Sequence, residues 1–431
     1  MVSAAGKRLG LAACFLLLGG AATADDAARV SVPPAASAAP ASPPAQAPAS
    51  AGHVHGAVAA GAPVKRTAQL ATSAAFDTQG RLWVAYARDG HVYVARSDDA
   101  GRSFAPERRV NEAPEAIAAD GENRPKLAFA ADGGVLVAWT RPLAKPYTGE
   151  IRFARAADGL NFAPPITVHR DRAEITHRFE SMVVAGDGRV VLAWIDKRDQ
   201  EAAKARPGGY RGAAIYAATS RDGGRSFLPE RKLADHSCEC CRIAATLDAD
   251  GAPLFMWRHV FAPNERDHAI VRLAADGAPE TVVRATFDRW KIDGCPHHGP
   301  SLAVDAEGTR HAVWFNQKDG AGRVFYGRLV AGQKAGEGAV EGQRPVGGVR
   351  AEHADLAVDG RRVLLVWREF DGEWTRLLAE VSDDGGRTFR RRELAVSAGP
   401  TDQPRALAGG GVLYAFWRSV GEGMRLFPLA P

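Results

Sequence analysis

The chain has 431 residues, with 55 Lys and Arg against 50 Asp and Glu, and a formal net charge of +5. That mild excess is not gathered into a basic tract with interleaved aromatics, which argues against nucleic acid as a partner. No apolar run beyond the N-terminus is long enough to cross a bilayer, so the mature chain is expected to be soluble.

At the N-terminus, Lys7 and Arg8 precede an apolar run from Leu9 to Leu18 and small residues ending Ala22-Thr23-Ala24. This is the pattern of a signal peptide over residues 1–24, and it predicts an exported, periplasmic or extracellular protein. Its removal takes away Lys7 and Arg8, so +5 becomes +3. Leu11-Ala12-Ala13-Cys14 also fits a lipoprotein cleavage box, but most of the apolar core follows Cys14, which argues against a lipid anchor. Residues 25–64 are almost entirely Ala, Pro, Ser and Gly, a composition that buries no core and reads as a disordered linker. His53 and His55 within it read as solvated tail residues. Residues 65–431 remain for folding, a length that repeat folds routinely reach.

From there one unit recurs. A tight Asp/Gly turn is followed six or seven residues later by an aromatic in an alternating strand, as in "DTQGRLWVAY", "ADGGVLVAW" and "DAEGTRHAVW". The aromatics are Tyr86, Trp139, Trp194, Trp257, Trp314, Trp367 and Trp417, spaced 50 to 63 residues apart. Period-2 alternation with Gly/Asp punctuation predicts four-stranded antiparallel blades. A single blade cannot bury both faces, so the fold class is all-β, a β-propeller of seven units, with six blades and an odd terminal unit as the alternative. The last copy supplies about three strands, and residues near Val64–Leu70 are expected to add the fourth.

Ser97-Asp-Asp-Ala-Gly-Arg-Ser-Phe104, Ser220-Arg-Asp-Gly-Gly-Arg-Ser-Phe227 and Ser382-Asp-Asp-Gly-Gly-Arg-Thr-Phe389 share the form S-x-D-x-G-x-[ST]-F. They resemble the Asp boxes of the sialidase-like (BNR repeat) propellers, and the resemblance covers residues 67 to 431 as a repeat pattern. It implies glycoside hydrolysis, with three arginines gripping a substrate carboxylate. No F/Y-R-I-P segment stands in the first unit, and no tyrosine nucleophile or acid/base aspartate can be matched, with Tyr326 and Tyr414 both inside repeat strands. Fold alone does not carry function.

If both kinds of Asp turn lie on one face, the loops between blades and between second and third strands occupy the other. Every cysteine of the mature chain falls in that second set. Cys238, Cys240 and Cys241 in "DHSCECCRI" open one blade, and Cys295, His297 and His298 in "KIDGCPHHGP" open the next. This juxtaposes six soft or borderline donors, a set suited to copper, which export favours, or to zinc, and not to calcium or magnesium. The competing reading is a disulfide stapling adjacent blades. Secondary candidates are His177, His268 and His353, for which solvated loop positions are the expectation.

Arg141, Arg258, Arg368 and Arg418 follow the repeat aromatic by one or two residues and are the candidates for binding a carboxylated sugar, or for inter-blade ion pairs. Three functions therefore stand: a metal-handling propeller, an exo-acting glycoside hydrolase of sialidase type, and a non-catalytic binding scaffold. Nothing calls for a nucleotide, and Cys-x-x-Cys-His, the mark of covalent haem, is absent.

Overall fold

The computed structural model describes residues 70–204, 210–294, 296–318, 320–332, 334 and 336–430. The expected signal peptide, the linker, residues 64–69 and Cys295 lie outside them. The described residues form seven antiparallel sheets, each wound in simple up-and-down order. Blade 1 comprises Ser73–Phe76, Leu82–Arg88, His91–Ser97 and Arg108–Arg109, and blade 2 Lys126–Phe129, Val135–Pro142, Gly149–Ala156 and Ile166–Thr167. Blade 3 comprises His177–Val184, Val190–Asp196, Ala213–Ser220 and Arg231–Ser237, and blade 4 Ala244–Leu247, Pro253–Arg258, His268–Arg272 and Val283–Arg284. Blade 5 (Ser301–Val304, Arg310–Lys318, Ala321–Ala331, Gly338–Val346) and blade 6 (Ala351–Asp359, Arg362–Phe370, Thr375–Ser382, Arg390–Ser397) complete the four-stranded set. Blade 7 has three strands among the described residues, Arg405–Gly409, Val412–Ser419 and Gly423–Leu429. The only helix among the described residues, α1 (Arg198–Ala203), sits between the second and third strands of blade 3. No helix among them is long and apolar enough to cross a membrane.

The repeated aromatics explain why the blades stack. All six tryptophans of the repeat are at most 1% exposed, and Tyr86 is buried too. Burying a side chain of that size removes roughly 150–250 Å² from water, about 4–6 kcal/mol at ~25 cal/mol per Å². The apolar side chains fall into seven clusters, one at each junction, from Trp83 with Trp139 between blades 1 and 2 to Leu82 with Phe416 between 7 and 1. No blade owns its core; each shares two.

The three S-x-D-x-G-x-[ST]-F segments join third to fourth strands, as expected, and share one set of bonds. The serine hydroxyl oxygens of Ser97, Ser220 and Ser382 accept from the amides of Gly101, Gly224 and Gly386 at 2.7–2.9 Å. Asp99, Asp222 and Asp384 accept from the amides of Ser103, Ser226 and Thr388 at 2.8–2.9 Å. Phe227 and Phe389 then pack edge-on against Phe153 and Tyr326 of the preceding blade, ring centroids 5.0 Å apart. These turns and the first-to-second strand turns share one face, which leaves the between-blade loops to the other.

Candidate functional site

The segment Cys238–Cys241 leaves the outer strand of blade 3 and turns into the inner strand of blade 4. Its course is pinned by the Cys238 amide, which donates to the Arg258 carbonyl at 2.9 Å, and by the Ser237 hydroxyl, which donates to the Cys238 carbonyl at 2.9 Å. Glu239 turns outward to Gln200, 2.8 Å away, and pairs with Lys197. The three cysteines turn inward and are 1%, 6% and 2% exposed. They join an apolar cluster with Phe179, Ile243, Trp257 and Leu273, in the wall between blades 3 and 4.

The three Sγ atoms lie within 4.8 Å of one another, with 3.8 Å from Cys238 to Cys240 and 4.0 Å from Cys240 to Cys241. A disulfide needs about 2.0 Å, so no two of these three are bridged to each other. Hydrogen bonding with Cys238, together with burial, pushes the Cys241 thiol well above its ordinary range, while hydrogen bonding with Cys240 and the Arg258 guanidinium pull the other way. Arg266 reaches Cys238 Sγ at 3.6 Å. Three crowded sulfurs beside two guanidiniums are the residues that could hold a soft metal ion.

The "GCPHHGP" loop meets this segment. Arg258 Nη2 donates to the His298 carbonyl at 3.0 Å, and the Gly299 backbone lies against Arg242, so that a Cβ there would come within 2.2 Å of Arg242 Cγ. The expected six donors nevertheless divide. Cys295 is outside the described residues, and His297 sits in left-handed backbone, φ +53°. The His298 ring stacks on His353 at 4.3 Å and 14°, and a nitrogen of each lies within 4.8 Å of a Glu352 oxygen and of the other. Burial lowers the pKa of both imidazoles, keeping them neutral at pH 7.

The loop entering blade 2 packs against these same between-blade loops. Glu122, Asn123 and Arg124 are each at most 4% exposed. Glu122 accepts from Arg242 Nη1 at 2.8 Å, from the Arg242 amide at 3.0 Å and from the Gly299 amide at 2.9 Å, and lies 3.3 Å from His353 Nδ1. Burial opposes its charge, but Arg242 and His353 hold this carboxyl well below the usual range. Arg124, in the "NRPK" stretch, donates to the Thr72 carbonyl at 2.7 Å and pairs with Asp402 at 3.1 Å. The thiols therefore lie buried in the wall between blades 3 and 4. An acidic residue preceding the inner strand was the available signal for Glu122, and the "EH" pair in "RAEHAD" was the one for Glu352.

The four candidate arginines have structural partners. Arg258, 1% exposed, spends its guanidinium on the carbonyls of Arg266, His298 and Phe315. Arg141 pairs with Glu150 and Glu115, Arg368 with Glu352 and the Thr401 carbonyl, and Arg418 bonds Thr72 Oγ1 above the Tyr86 ring. Carboxylates on the same face are also engaged: Glu180 accepts from Thr140 at 2.5 Å, and Asp267 pairs with Arg284. The solvated setting expected for the secondary histidines is corrected, since His177 and His268 are 0% exposed and His353 is largely buried. His177 opens the inner strand of blade 3 and His268 the third strand of blade 4, so both sit within a sheet rather than on a loop. His268 Nε2 and His259 Nδ1 are buried with no hydrogen-bond partner among the described residues.

No family model and no curated protein matches the chain. Solved structures resemble it in fold. An ulvan lyase of the PL25 polysaccharide lyases, bound to GlcA(1-4)Rha3S, superposes with a TM-score of 0.53 at 12% identity, covering 82% of this chain and 91% of that one. A second polysaccharide lyase gives 0.52 at 11% identity over 83% and 90%. A leech intramolecular trans-sialidase complexed with 2,7-anhydro-Neu5Ac gives 0.48 at 8% identity over 81% and 83%. At such identities the likeness extends no further than the propeller fold.

Proposed function

We propose that the chain is an exported sialidase-like propeller that binds a transition metal, copper(I) before zinc, through Cys238, Cys240 and Cys241, and serves in metal handling. The observation that carries this reading is the convergence of three buried Sγ atoms within 4.8 Å. Three thiolates satisfy copper(I), which prefers soft ligands, whereas a structural zinc asks for four donors, with Cys295 or His297, which the sequence assigns to the next blade entrance, as the candidate fourth. Because the site is preformed in a rigid wall, binding releases protons from the thiols without refolding the blade.

The test is copper content and a thiol count on protein matured in an oxidising compartment. Retention of about one copper per chain, lost in the Cys240→Ser, Cys241→Ser variant with its circular dichroism unchanged, is the expected result. Protein that holds no metal and has no titratable thiol would sink the proposal in favour of cystines.

Hydrolysis of a carboxylated sugar is the rival reading, and the arginines weigh against it. Arg141, Arg258 and Arg368 are already committed to carboxylates or carbonyls and Arg418 to the Thr72 hydroxyl, and freeing a buried one leaves its partner unpaired. A fluorogenic sialoside is accordingly expected to go unturned, and turnover that survives chelation but falls in Arg368→Ala would reverse the ranking.

A further inference from the structure

Resting on the metal reading of Cys238, Cys240 and Cys241, we infer that their site is matched in charge to a monovalent soft ion, and that Arg258 and Arg266 are the specificity-determining residues that set the match.

Neither guanidinium forms an ion pair with a carboxylate among the described residues. Arg258 is 1% exposed and bonds the carbonyls of Arg266, His298 and Phe315 and the side-chain oxygen of Asn316, with its guanidinium over the Trp290 ring. Arg266 donates to the side-chain oxygen of Asn264 at 3.1 Å and reaches Cys238 Sγ at 3.6 Å. All of those oxygens are neutral. A guanidinium keeps its charge in a protein, and a buried charge without a counter-ion is costly. The Cys238 amide donates to the Arg258 carbonyl at 2.9 Å, and the Arg258 charge is felt at the Cys241 thiol. The sulfurs beside the two arginines supply the missing negative charge once they ionise.

The tryptophans of the repeat tell the same story. Five of the six donate their indole N–H: Trp139 to Glu115, Trp194 to Asp196, Trp314 to Asp288, Trp367 to Glu369 and Trp417 to the Asp402 carbonyl. Trp257 packs in the cluster of the three cysteines, and its Nε1 has no acceptor among the described residues; nor has Arg258 Nε. Buried donors without acceptors cost free energy, and an ionised acceptor bonds more strongly than a neutral one. Blade 4 therefore carries unmatched donors and unmatched positive charge where its sulfurs gather.

Spacing alone does not choose the ion. Three sulfurs in a plane, each about 2.3 Å from a metal, stand about 4.0 Å apart. The observed separations of 3.8 Å and 4.0 Å fit that for copper(I) and zinc alike. Charge does choose. Three thiolates against two guanidiniums leave one negative charge, which a monovalent ion cancels; a divalent ion leaves one positive charge unless a fourth thiolate joins. In a setting this buried, an unmatched unit charge outweighs small differences in bond geometry.

The probes are Ag+ and Cd2+, soft ions that differ in charge, competed for the thiols of the mature chain and followed by sulfur-to-metal absorption in the ultraviolet. Arg266→Gln removes one positive charge and is expected to move the ratio of affinities toward Cd2+ by about tenfold, with the thermal midpoint kept. Arg266→Lys retains the charge and is expected to keep the parent ratio, which separates charge from packing. Arg266→Met repeats the removal of charge should Arg266→Gln disturb the fold. A ratio unmoved in Arg266→Gln, or moved as far in Arg266→Lys, would overturn the charge match and leave metal binding standing. Uptake of neither ion would overturn the metal reading along with it.

Discussion

Gly386 stands where only glycine fits. Its φ is +74°, and a Cβ there would lie 1.8 Å from the Tyr326 hydroxyl. Gly386→Ala is expected to lower stability by about 3 kcal/mol, read as a fall in the thermal midpoint. The same contact seals Tyr326, whose hydroxyl is 2.7 Å from His311 Nδ1, with His311 Nε2 3.0 Å from Asp305. Burial raises the pKa of this phenol, and it belongs to the turn face, so it is a wall residue rather than a nucleophile. His169 gives a pH dependence. Burial first, and then the stacked His177, lower its pKa from 6.5 to about 4. The unfolded chain takes up this proton more readily, so its contribution is complete above pH 6.5 and is lost as pH falls toward 4. Urea titrations across that window are expected to show a decline that His169→Gln flattens.

Loops are the elements on which the site depends, and Gly299 joins two of them. Gly299→Ala would drive a methyl into Arg242, the residue after Cys241, and is expected to weaken copper binding by about tenfold in a chelator competition. The repeat made the blades legible, because a turn, an alternating strand and a tryptophan recur at near-constant spacing. It also placed the two Cys/His loops on one face and next to each other. What it left illegible was direction. His353 turns to stack on His298 at a bulge in blade 6, and a one-residue slip in pairing leaves no trace in hydrophobic alternation. Burial of the histidines and pairing of the arginines were equally hidden, since both depend on partners from other blades.

At the scale of the whole molecule, the ring closes between blades 7 and 1. The inner strands Ser73–Phe76 and Arg405–Gly409 lie side by side, and Thr72, Arg124 and Asp402 bind across the seam, the Thr72 amide donating to Asp402 at 2.7 Å. Removing one partner of a buried ion pair is costly, so Arg124→Ala is expected to lose about 3–5 kcal/mol in chemical denaturation, while the exposed pair Arg361–Glu307 contributes little. Glu122 extends this bracing to the chemistry. One carboxylate touches Arg242, which follows the thiols, and His353, which belongs to the imidazole pair. Glu122 is thus a keystone shared by the entrances to blades 2, 4, 5 and 6, and Glu122→Gln is expected to weaken copper binding by about tenfold in a chelator competition although the carboxylate touches no sulfur.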